Sequence, residues 1–189
     1  MGMSQIDLCS RALLKIGASS LSSFEDGTLE AEVAAALYPT VRDALLASHP
    51  WNFAMAYASL APLAETPVAE FATAFLLPND CLRVISAGSG SRARGLSYRI
   101  IGNQLHTDAS DIVLCYIGRP PESRFPAFFD QALIAHLAAE FCIPLTDGTS
   151  RWEALRRAAE HDLQRARLID AQEETPAALS DFSLLEDRW

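Results

Sequence analysis

The chain has 189 residues, half of them hydrophobic, with 24 acidic against 15 basic side chains and a formal net charge of −9. That length suits one domain, or one domain with an insertion, and the apolar share is enough to bury a core. The charge argues against a protein whose affinity rests on neutralising phosphates, and no apolar run approaches the roughly 18 residues of a membrane span.

The start, MGMSQIDLCSRALLKIG, has no basic n-region and no uninterrupted apolar core, so a secretory signal is not expected. Cys9, Cys81, Cys115 and Cys142 are scattered and form no CxxC pair, which predicts buried free thiols in a reducing compartment. Lys15 is the only lysine; the other basic residues are arginines.

Ser4 is placed to cap a first helix, with Asp7 completing a capping box. Ile6, Cys9, Ala12, Leu13 and Ile16 line one face, and Gly17 supplies the stop. After the Ser-rich connector ASSLSSFEDG, Thr28 caps a second helix whose first turns carry Glu30 and Glu32. Its stripe runs Val33, Leu37, Val41, Leu45, with Ala44 and Ser48 beside it, and Pro39 should kink or split it. Pro50 disfavours helical geometry at His49, so the helix ends there. Trp51, Phe53 and Tyr57 then form an aromatic elbow, read as core, with a ligand pocket as the alternative.

Residues 58–70 carry Pro62 and Pro67 and read as a linker. Pro78-Asn79-Asp80 is a turn before a strand holding Leu82, Val84 and Ile85. The loop GSGSRARG presents Arg92 and Arg94, either as a solvated turn or toward a partner or a DNA path. It is not a phosphate cradle, because no GxxxxGK[ST] is present. Gly102-Asn103 suits a type II′ turn between two short strands, and Ile112–Ile117 makes another, giving a small antiparallel sheet of three or four strands.

After Pro120-Pro121 a central helix carries Phe125, Phe128, Phe129, Ala132, Leu133, Leu137 and Phe141, and Pro144 ends it. Ser150 and Glu153 suggest a capping box for the last helix, with Trp152, Leu155, Ala159, Leu163, Ala166 and Ile169 on its apolar side. The tail ETPAALSDFSLLEDRW is rich in large apolar residues for a disordered end. It reads either as folding back on its own bundle or as an arm.

The fold class expected is therefore mainly α: a bundle of about four helices with a small antiparallel β insertion and an extended C-terminal tail. Residues 4–57 and 120–173 form the bundle, 71–118 the inserted sheet, and 174–189 the arm. His136 and Glu140 could sit side by side on a helix, but no third zinc ligand is evident. Asp80 beside Cys81 reads as a turn residue next to a strand thiol. No nucleophile signature such as GxSxG occurs, so neither an enzyme nor a metal or other cofactor is expected.

HPWNFA at 49–54 and LPNDCLRV at 77–84, following two helices, resemble the tail tubular protein A family. These are the head-to-tail adaptor, or connector, proteins of tailed bacteriophages. The similarity takes in SRALLKIGAS, ALYPTVRDALL, IVLCYIGRP and LAAEFCIPLT, and covers roughly residues 4–173. His49, Pro50, Trp51, Asn52, Phe53, Leu77, Pro78 and Asp80 carry its structural motifs.

The resemblance implies a virion protein, assembled in the host bacterial cytoplasm, that forms a homo-oligomeric ring, typically a dodecamer. Its partners would be the portal above, a tail or nozzle protein below and DNA in passage, with no membrane. Leu179, Phe182, Leu184, Leu185 and Trp189 would grip the portal, and Arg92 and Arg94 would face the lumen or a partner. Gene transfer agents and defective prophages use similar parts. The alternative is a stand-alone α-helical interaction module, a regulator or assembly factor outside any particle.

Overall fold

The computed structural model describes residues 2–90 and 93–173. The fold is mainly α, with four helices and two small antiparallel sheets. The chain begins with α1 (Gln5–Ile16) and α2 (Leu29–Ala47), and then passes through six strands. These are β1 (Met55–Leu60), β2 (Thr73–Leu76), β3 (Arg83–Gly88), β4 (Arg99–Ile101), β5 (Gln104–Thr107) and β6 (Ile112–Ile117). It closes with α3 (Ala127–Thr146) and α4 (Thr149–Asp170).

The local signals at the first two helices act as expected. Ser4 and Asp7 exchange hydrogen bonds as a capping box, and Gly17 ends α1 in the left-handed region at φ 80°. Thr28 Oγ1 accepts from the Ala31 N–H. Helix α2, however, is neither split nor ended by Pro39. Pro39 lies on the exposed face, and so does Ala35, so the Ala35 carbonyl that loses its N–H partner is open to water. The same holds for Pro144, exposed one turn after exposed Glu140, and α3 runs on to Thr146. Ser150 does not cap α4. The turn from α3 is only Asp147-Gly148, so α4 begins at Thr149 with Gly148 O accepting from the Trp152 N–H.

Helix α3 is the axis of the bundle, with α1, α2 and α4 packed around it. With a mean hydropathy of 1.3 it is long and apolar enough to cross a membrane by length and composition, although Asp130 and Glu140 interrupt its apolar run. It is also the core helix: 61 % of that stretch is buried inside the protein. Phe129, Leu133, Leu137 and Phe141 are fully covered.

On α4 the buried positions are Ala159, Ala166 and Asp170, whereas Ile169 is 42 % exposed. The 3.6-residue period carries the inward face from Ala166 to position 170, so the expected apolar Ile169 gives way to an acid.

The middle of the chain makes two sheets rather than one, ordered β1-β6-β3 and β2-β5-β4. Residues 55–60, read as part of an aromatic elbow and the start of a linker, are strand β1, paired along its length with β6. Beyond it, Pro62 bridges Phe75 and Leu63 N–H donates to Ala74 O, so part of the supposed linker follows β2. Alternation on β1 turns Ala56, Ala58 and Leu60 toward the sheet core and leaves Tyr57 65 % exposed, outside the aromatic cluster. Gly102 takes φ 60° while Asn103 stays on the negative side, as a type II′ turn requires. Phe75, Leu105, Ile112, Leu114 and Tyr116 fill a second, smaller core between the sheets.

Candidate interaction site

Trp51 is completely buried, and its indole N–H donates to Leu45 O at 3.0 Å. The same carbonyl, at the end of α2, also accepts from the Ser48 N–H and the Ser48 hydroxyl. The ring lies 5.2 Å from Phe129 and 5.9 Å from Phe53, and Phe53 in turn is 4.9 Å from Phe129. The HPWNFA elbow is thus core, as expected, at Trp51 and Phe53.

Its polar members do something the sequence did not suggest. Asn52 N–H donates to the Asp170 carboxylate at 3.1 Å, and Asn52 Nδ2 donates to Asp170 O at 2.8 Å. His49 Nε2 lies 3.4 Å from Asp170 Oδ2, and Arg167 donates to Ser48 Oγ at 3.2 Å. The motif therefore latches the last turn of α4. Asp170 is 1 % exposed. Burial raises its pKa, opposed by the Asn52 N–H. Burial likewise lowers the pKa of His49, opposed by Asp170. Both shifts favour the neutral form of the group, so burial works against an ion pair at this contact.

LPNDCLRV and IVLCYIGRP meet the elbow on its other side. Asp80 accepts from the Tyr116 hydroxyl at 3.2 Å, Leu82 N–H donates to Ile117 O, and Gly118 N–H donates to Ala54 O at 2.9 Å. A Cβ on Gly118 would stand 3.1 Å from Asp80 Oδ2. A cavity of about 250 Å³ at this junction is lined by Phe53, Ala54, Asp80, Gly118, Arg119 and Arg124.

Arg119 also forks onto Asp43 at 2.7 Å, and Arg42 bridges Asp43 and Glu122, which accepts from the Tyr38 hydroxyl at 3.0 Å. Burial works against the charge on Asp43, but the bonds from Arg119 and Arg42 outweigh it and hold the carboxyl below its usual range. This network ties α2 to the crossing from β6 into α3, and no sequence signal marked it.

Leu77 and Pro78 lie farther along, where Leu77 N–H donates to Asn103 O and Pro78 O closes a turn from the Cys81 N–H. They wall a groove of about 600 Å³ between β3 and β4, together with Leu82, Arg83, Tyr98 and Ile100. Cys81 lines it and is partly exposed; Cys9, Cys115 and Cys142 are buried free thiols.

His136 Nδ1 lies 2.9 Å from Ala132 O, which places its hydrogen on Nδ1, and among the described residues no group of three metal-ligating side chains occurs. Asp130, in the first turn of α3, is 5 % exposed, and its Oδ1 has no hydrogen-bond partner among the described residues. Burial pushes its carboxyl up to about 6, against a smaller downward pull from Arg11.

Of the other residues singled out, Arg94 lies in the loop between β3 and β4. Arg92, Leu179, Phe182, Leu184, Leu185 and Trp189 lie outside the described residues. The site defines the class of protein only as a helical bundle bolted to a double sheet by its own motifs. No family model matches the chain, and no curated protein sequence matches it.

Proposed function

We propose that the chain is a structural head-to-tail adaptor of a tailed phage or phage-like particle, forming a ring between portal and tail through which DNA passes. One observation supports this reading above others. HPWNFA, LPNDCLRV and IVLCYIGRP, the segments that carry the resemblance, come from distant parts of the chain and converge on one junction.

Their role there is architectural. The buried Trp51, the Asp170 latch and the tight Gly118 crossing fix the sheets against the bundle, which a subunit needs to transmit orientation around a ring. Ring closure requires heterologous contacts that return on themselves. An acidic chain also suits a channel that DNA traverses without adhering.

In this reading the portal-gripping arm is residues 174–189, with Leu179, Phe182, Leu184, Leu185 and Trp189 as anchors, and Arg92 and Arg94 face the lumen or a partner. Such an arm loses chain entropy on docking, so its anchors are few and large. Deleting residues 176–189 tests it. The truncated protein is expected to keep a cooperative melt and its helical circular dichroism while failing to attach to portal-bearing capsids. Attachment at wild-type yield, or failure of the truncated chain to fold, refutes the arm. A protein that stays monomeric in the presence of portal, with no mass increase, refutes the adaptor reading itself.

A further inference from the structure

The groove between the two sheets has a main-chain edge on one wall. Strand β4 is the outer strand of its sheet. Its two-residue turn makes Ile101 and Gln104 the closing pair, so the next pair, Ile100 with Leu105, is the non-hydrogen-bonded kind. The N–H and C=O of Ile100 therefore point outward, and Ile100 lines the groove. On the facing strand β3, Leu96 N–H covers Ala87 O and the Tyr98 hydroxyl reaches Ile85 O at 3.5 Å. The Arg83 end opens into the groove. The walls mix apolar side chains with Asn79 and Asn103, and among the described residues Arg83 is the one charged lining residue. That combination fits an extended peptide carrying large apolar side chains and acids.

We propose that in the free chain this groove holds the protein's own C-terminal segment, residues 174–189, as an added strand along β4. Composition, position and reach support the choice. The segment carries Leu179, Phe182, Leu184 and Leu185 with Asp181, Glu186 and Asp187, so its acids can meet Arg83 while its large side chains meet Leu77, Leu82 and Ile100. The described chain leaves α4 just beyond Asp170, which is fixed to Asn52 and His49. His49 is within electrostatic reach of Arg83. Met55, which follows the Asn52 turn, and Arg83 both pair with Ile117, so two strand spacings, roughly 10 Å, separate them. From Glu173 to Leu179 an extended chain spans up to about 20 Å.

The other apolar groove, about 440 Å³ and lined by Val33, Leu37, Ile143 and Trp152, fits worse. It lies at the opposite end of α4, roughly 27 Å along the helix from Asp170, and carries Glu140 on its rim. The proposal does not depend on a particle. Within the adaptor reading it means that the arm is held against its own subunit before it docks.

Hydrogen exchange on the isolated full-length protein tests it. The outward-facing Ile100 amide is expected to exchange at least tenfold more slowly in the wild type than in a variant combining Leu179→Asp, Phe182→Asp and Leu184→Asp. Arg83→Glu, which reverses the charge of the wall, is expected to speed the same amide. The protection should not change with protein concentration. Equal exchange in wild type and the tail variant overturns the proposal. Protection that grows with concentration overturns it too, assigning the groove to a second copy's segment. No portal is present, so the result stands apart from the adaptor test.

Discussion

Replacing Asp130 with asparagine is expected to stabilise the protein at neutral pH. The carboxyl is nearly covered, one oxygen has no hydrogen-bond partner among the described residues, and burial pushes it up to about 6 from an ordinary 3.8. A carboxyl that is harder to ionise when folded costs the native state about 1.4 kcal/mol for each pH unit between those values, or about 3 kcal/mol above pH 6. The sign follows from proton binding. Between about pH 4 and pH 6 the native state holds the proton more firmly than the unfolded chain, so stability falls as pH rises through that window.

Asparagine removes the charge but leaves an amide in the same poor surroundings, at a cost of about 1 kcal/mol. The net gain at pH 7.5 is then about 2 kcal/mol. Urea denaturation of both proteins at pH 7.5 and pH 4 measures it. The variant should be more stable at the higher pH, with the difference lost or reversed at the lower one. A variant less stable at pH 7.5, or a difference that ignores pH, refutes the account of Asp130 as an uncompensated buried acid.

Two further outcomes follow from the elbow. Trp51→Ala should cost about 3–5 kcal/mol, since the ring is fully buried and its N–H donates to Leu45 O; a wild-type melting temperature would move Trp51 from the core to an interface. His49, whose pKa burial lowers, should contribute the opposite slope from Asp130. As pH falls below about 6.5 the unfolded chain takes up a proton that the native state resists, and stability drops. His49→Gln should flatten that part of the pH-stability curve, and an unchanged slope would disconnect the latch from titration.

Much of the helical half was legible because its signals are local. Ser4 with Asp7, Thr28, Gly17 and the Gly102-Asn103 turn act within a few residues, so the chemistry of the stretch fixes the outcome. Pro144 does not end α3 and Pro39 does not split α2, because whether a proline breaks a helix depends on whether the orphaned carbonyl meets water, which only the packed structure decides. Strand β1 was missed because its inward positions are Ala56 and Ala58, residues with little strand preference that are held by pairing with distant β6. The elbow's apolar role was readable from ring size alone. Its polar role was not, since the partner of Asn52 is Asp170, an acid in a helix where an apolar residue was expected. The division into two sheets was hidden for the same reason: register between far-apart strands leaves no mark in either one.

The latch between Asn52 and Asp170 spans 118 residues of chain. Closing a loop of that length before any contact rewards it costs on the order of 4 kcal/mol in chain entropy, and contacts so distant in sequence slow folding. A polypeptide emerging from the ribosome exposes HPWN early and cannot engage it until nearly all the remaining helix has been made. Chains cut short before residue 170 thus lack the piece that fastens the elbow, and they present its polar groups unpaired. The latch thus closes only once synthesis is nearly complete, the last join in a fold whose other helical contacts can form earlier.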